Sequence, residues 1–206
     1  MAELRSSQAG STCLVFLDWD DTCFPTSWLN SKDLHLGDLA RDHFEQKDLE
    51  LIEKTLFAFL DAFSVDTTLV FLSAGEKQWT RICTSLLSPK LATRIYPLIN
   101  PTEAELEIRS VGWKGIEMQK VLEGYIRNGR TFASILSIGD SLLERNGVFS
   151  LQNLGLSSKL KSIKLVDKPN LEQWRRQLEL LISCAQYAIS VKTDLDLMLT
   201  IKLLHP

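Results

Sequence analysis

Four short, mostly apolar runs, each closing on an acidic, hydroxyl or glycine-bearing turn, constrain this chain more than any other feature. They are Leu14 to Leu17, Thr68 to Leu72, Ser134 to Ile138 and Ser162 to Val166. Runs this short, without polar alternation, read as strands buried on both faces, as in a parallel sheet. The turns that follow are Asp18-Trp19-Asp20-Asp21-Thr22, Ser73-Ala74-Gly75, Gly139-Asp140-Ser141, and Asp167 with Pro169.

Between the runs, apolar residues recur at three- and four-residue spacing over Leu49 to Phe63, Gln78 to Leu87, Gly115 to Ile126 and Leu171 to Ile189. Strands alternating with helices imply right-handed crossovers and a doubly wound, Rossmann-like α/β sheet flanked by helices. Arg94 to Ile99 reads as a further strand before the loop Asn100-Pro101-Thr102, with Pro97 arguing against it. From Asp194 to Lys202 the pattern changes: Leu195, Leu197, Leu199, Ile201 and Leu203 alternate with mostly polar residues. That is the pattern of a half-buried strand at an edge or in a homo-oligomer contact.

A length of 206 residues suits one domain, and no linker or repeat divides the chain. We assign 1–12 as a polar N-terminal tail and 13–206 as a single domain. The 23 basic and 26 acidic residues are interspersed, which argues against a nucleic-acid surface with clustered Lys and Arg. The N-terminus lacks a signal-peptide core, and no run approaches the roughly twenty apolar residues of a membrane span, so a soluble, cytoplasmic protein is expected. Cys13, Cys23, Cys83 and Cys184 are scattered and read as free thiols.

In an open parallel sheet, ligands bind outside the carboxyl ends of the strands. Here those ends carry the chemistry. Asp18 and Asp20 project in the same general direction while extended backbone persists, so they can divide labour between nucleophile and general acid/base. A carboxylate can accept a phosphoryl group only if the charge on both reactants is neutralised, and Mg²⁺ with oxygen ligands does this. Asp140 can complete such a metal site with Glu144 supporting it one helical turn later, while Ser73 offers a hydroxyl and Lys114 a positive charge.

The order and spacing of these residues resemble the haloacid dehalogenase superfamily, in its phosphatase branch. LVFLDWDDT resembles its strand followed by DxDx[TV], and LVFLSAG its strand ending in Ser or Thr. Gly112-Trp113-Lys114-Gly115 resembles its helix-opening Lys, and ILSIGDSLLE its acidic turn, with Glu144 where many members carry Asp. The resemblance implies Asp18 as nucleophile and metal ligand, Asp20 as general acid/base whose backbone carbonyl touches Mg²⁺, and Asp140 as the remaining protein ligand. It implies Ser73, Lys114 and Thr22 as the groups that hold the substrate phosphate. An Asp two residues after the nucleophile separates phosphatases from the dehalogenases and P-type ATPases of the same superfamily. A receiver domain is disfavoured because an acidic motif follows Lys114.

About fifty residues separate the first two motifs and about forty the next two, leaving room for no large cap, only for a small flap over 25–45. The expected function is a Mg²⁺-dependent phosphoric monoester hydrolase acting on a phosphorylated substrate through an aspartyl phosphate on Asp18. Phosphotransfer from the same site, and a non-catalytic phosphate-binding or interaction protein, are the alternatives. Taken singly, each motif has a structural reading: Asp18-Trp19-Asp20 as a turn, Gly139-Asp140-Ser141 as a helix cap, Lys114 as a solvated helix residue. Trp28 and Trp113 are read as core packing or as the substrate entrance, and His35, His43 and His205 as surface residues.

Overall fold

The computed structural model describes residues 13–32, 39–63, 66–73, 77–99 and 112–204, without the side chains of Lys77 and Gln78. The expected tail 1–12, the centre of the 25–45 flap, Ala74-Gly75, the loop from Asn100, His35 and His205 lie outside the described residues.

The strands are β1 (Cys13–Leu17), β2 (Thr67–Phe71), β3 (Ser134–Gly139), β4 (Lys159–Lys164) and β5 (Leu195–Met198). They form one all-parallel sheet in the order β2-β1-β3-β4-β5. The helices among the described residues are α1 (Thr26–Asn30), α2 (Gln46–Asp61), α3 (Lys77–Ser85), α4 (Pro89–Ile95), α5 (Trp113–Arg127), α6 (Leu142–Ser150) and α7 (Leu171–Ser190). None of them is long and apolar enough to cross a membrane.

β1 is apolar throughout because both of its faces are covered. Cys13, Val15 and Leu17 enter a core built with Leu49, Ile52, Leu56 and Phe59 of α2 and with Trp174, Leu178 and Leu181 of α7. Leu14 and Phe16 enter a second core with Met118 and Leu122 of α5 and Val148 of α6. The period-two alternation of side chains thus divides the strand between two helical layers, which is the expected doubly wound α/β architecture. Cys13, Cys23 and Cys83 are buried free thiols, and Cys184 is a half-buried one.

Arg94 to Ile99 is not a strand. Pro89 opens α4 behind Ser88, and Leu91, Ala92 and Ile95 form a buried helical stripe, followed by a 3₁₀ turn over Tyr96–Leu98. What remains of strand character is an isolated bridge between Ile99 and Phe71. The fourth apolar run lies earlier than expected: β4 starts at Lys159 and includes Lys161 and Lys164, both buried. The tail forms a shorter edge strand than its alternation predicts. Leu195 and Leu199 pack on the core, whereas Leu197, Met198, Ile201 and Leu203 are exposed.

Chain order places β2 on one side of β1 and β3 to β5 on the other, so the winding direction reverses between β1 and β3. Side chains leaving the carboxyl ends of those two strands line the crevice at the reversal, the usual position for ligands in such sheets.

Candidate functional site

Asp18 follows β1 directly, and its N–H donates to the Ile138 carbonyl of β3 at 3.0 Å, so the crevice position is fixed by the sheet ladder itself. Beyond Asp18 the backbone turns. Cys23 and Phe24 both donate to the Trp19 carbonyl, and Asp21 adopts φ +52°, a left-handed conformation that Asp tolerates better than most residues. Asp18 precedes this turn and Asp20 lies within it, and the Asp20 charge acts on Asp18.

The Asp18 Oδ1 accepts a hydrogen bond from Lys114 Nζ at 2.6 Å, with both side chains buried. Lys114 sits in the first turn of α5, and its ammonium also donates to Glu144 Oε1 on α6. The helices approach closely because glycines face each other: a β-carbon at Gly147 would lie 3.1 Å from the Gly115 nitrogen. Glu144 is held in turn by Ser141, whose N–H donates to Oε2 at 3.0 Å and whose hydroxyl also contacts that oxygen, while Leu143 N–H donates to the Ser141 hydroxyl. This capping box ties the acidic turn after β3 to the lysine of α5.

Asp20 is held from three sides. Its Oδ1 accepts from Thr26 Oγ1 of α1 and from Trp79 Nε1 of α3, each at 2.7 Å, and its Oδ2 accepts from Ser73 Oγ at 3.3 Å. Asp21 accepts from the Ser27 N–H at 2.7 Å and from the Ser27 hydroxyl, which ties the start of α1 to the same turn. Asp140 is half-buried, and its carbonyl accepts from Lys164 Nζ at 2.9 Å, an ammonium also bonded to Asp167. Thr22 is fully buried, with its hydroxyl unpartnered among the described residues and its carbonyl accepting from the Trp174 indole.

Burial pushes the Asp18 carboxyl upward, Lys114 opposes that, and the charge on Asp20 adds to the rise. Asp140 is pushed up to about 7, first by burial and then by the charges of Asp18 and Asp21. Asp21 is raised as well, by burial, against its bonds from Ser27. Burial first, and the neighbouring carboxylates second, thus disfavour the ionised forms in this crevice, a condition that a hard cation would relieve.

The structure brings Asp18, Lys114 and Glu144 together and places Asp20 beside Ser73. No three His, Cys, Asp or Glu side chains among the described residues form a group suited to holding a metal. The expected donor set needs only two carboxylates, Asp18 and Asp140, with the Asp20 carbonyl. The residues that sequence reasoning missed are Thr26, Trp79 and Lys164, whose contacts with the acidic turns depend on the fold and follow no spacing rule. Trp28 belongs to the core, where its ring packs against Phe44. Trp113 is half-buried, with its ring 5.6 Å from Lys114 Nζ. His43 lies in a 3₁₀ turn over Arg41–His43.

No protein-family model, curated protein or solved structure matches this chain.

Proposed function

We propose that this protein is a Mg²⁺-dependent phosphatase of the haloacid dehalogenase type, with Asp18 as nucleophile. The observation that carries this reading is the buried 2.6 Å pair between Asp18 and Lys114 at the point where the sheet reverses its winding. A lysine buried at that point is costly as scaffolding alone, but it suits a site that must hold an anionic substrate against a carboxylate.

Asp18 and Asp140 would hold Mg²⁺ by their carboxylates and Asp20 by its main-chain carbonyl. The oxygen character of these donors fits a hard cation, which would also offset the burial and the neighbouring charges that disfavour an ionised Asp140. When bound, the cation neutralises charge on the nucleophile and the phosphoryl oxygens. Asp18 attacks phosphorus as the ester P–O bond breaks, and a protonated Asp20 gives its proton to the departing oxygen. Asp20 then takes a proton from the water that cleaves the aspartyl phosphate. Lys114 holds one Asp18 oxygen and faces the phosphoryl group, and Ser73 adds a hydroxyl donor.

The test is hydrolysis of p-nitrophenyl phosphate with and without Mg²⁺, on wild type and Asp18→Asn. Turnover that requires both the metal and Asp18 supports the assignment; turnover by folded Asp18→Asn removes it.

A further inference from the structure

Trp79 plays no part in the motifs that define the site, yet its indole N–H donates to Asp20 Oδ1 at 2.7 Å across 59 positions of sequence. The same oxygen takes a second bond, also 2.7 Å, from Thr26 Oγ1. These donors come from α3 and α1, two separate helices that both follow Asp20 in the chain. The other carboxylate oxygen, Oδ2, receives a longer contact among the described residues, 3.3 Å from Ser73. Trp79 is half-buried and packs on the larger core, so its indole is anchored by the scaffold.

We propose that Trp79 is a positioning residue that fixes the Asp20 carboxyl, so that Oδ2 is the oxygen that exchanges the proton. The inference rests on the phosphatase reading above. Oδ1 is engaged by two donors at 2.7 Å, which leaves Oδ2 the less engaged oxygen among the described contacts. Oδ2 carries the proton to the leaving oxygen as the ester P–O bond breaks and the Asp18–phosphorus bond forms. The same oxygen receives a proton from water as the Asp18–phosphate linkage breaks, so the carboxyl is restored after each cycle. A rigid indole suits this task, because a misoriented acid loses proton transfer while nucleophilic attack is left intact.

Two measurements test it. In the first, the indole ¹⁵N–¹H resonances of the five tryptophans are compared in wild type, Trp79→Phe and Asp20→Asn. The peak absent from Trp79→Phe is expected to be the one most displaced by Asp20→Asn, and an unmoved peak overturns the contact. In the second, kcat/KM is measured on p-nitrophenyl phosphate, whose leaving group needs little protonation, and on glycerol 2-phosphate, whose alkoxide needs it. Trp79→Phe is expected to lose at least about tenfold more on the alkyl ester than on the aryl ester, with Thr26→Val shifting in the same direction. Equal losses on both esters mark a merely structural tryptophan and overturn the proposal. If wild type hydrolyses neither ester, the phosphatase reading fails and takes the positioning role with it, while the spectra still report whether the contact exists.

Discussion

The Glu144 side chain lies directly over the backbone of Gly139, so that a β-carbon at residue 139 would stand 2.1 Å from Glu144 Cγ and 2.6 Å from Cδ. Glu144 cannot simply step aside, because Lys114 and Ser141 hold its carboxylate from two directions. Gly139→Ala should therefore destabilise the protein by about 1–3 kcal/mol, the usual cost of overpacking. It should lower activity further by displacing the carboxylate that steadies Lys114. Denaturant unfolding and turnover of the same preparation separate the two effects.

Lys114 balances two buried carboxylates, so removing its charge leaves both without their cation. Lys114→Met is expected to cost about 3–5 kcal/mol in stability and to abolish turnover. Asp18→Asn should differ: it removes a charge from a crowded acidic crevice and leaves Lys114 paired with Glu144, so its thermal midpoint should be close to that of wild type. A severe loss of stability in Asp18→Asn would contradict this account of the charge balance.

Burial first, and then the charges of Asp18 and Asp21, disfavour an ionised Asp140. Asp140→Asn should raise the thermal midpoint of the metal-free protein, and Mg²⁺, expected to stabilise wild type, should not stabilise the variant. At a hundred times the dissociation constant, that stabilisation is about 2.7 kcal/mol. Thermal unfolding with EDTA and with Mg²⁺ reads both effects.

Glu172, in the first turn of α7, is held down to about 2 by hydrogen bonds from Arg175 and Arg176. A carboxylate depressed in the folded state stabilises the fold above its ordinary value of 4.5 and loses that contribution as pH falls toward 2. Glu172→Gln should therefore be less stable than wild type at neutral pH, and the gap should narrow on acidification below 4.5. Because the cluster is largely exposed, added salt should also shrink the gap.

Much of the fold was legible because β1 and β3 are buried on both faces and carry almost no polar residue. Their turns could be read for the same reason: a carboxylate just after such a strand stands at the crevice. β4 starts before the apolar run because three lysines, which look like surface residues in the sequence, belong to it. In the fold Lys161 donates to the Ala188 and Ile189 carbonyls at the end of α7, and Lys164 holds the Asp140 loop. Arg94 to Ile99 resembles a strand by its apolar residues alone, but the helix that starts at Pro89 runs through Ile95 and a 3₁₀ turn follows it. The placement of Asp18 and Asp140 just after strands and of Lys114 at a helix start was legible, but the contacts of Trp79 and Thr26 were not, since only the folded chain brings an indole from α3 and a hydroxyl from α1 to the same oxygen of Asp20.

The central claim is that phosphate passes through Asp18, and the most direct measurement is the mass of the protein after acid quenching during turnover of p-nitrophenyl phosphate with Mg²⁺. The account predicts one added phosphate on wild type, mapped by proteolysis to Asp18 and labile to hydroxylamine, and none on Asp18→Asn. Turnover with the phosphate on another residue, or undiminished turnover by Asp18→Asn, would contradict it.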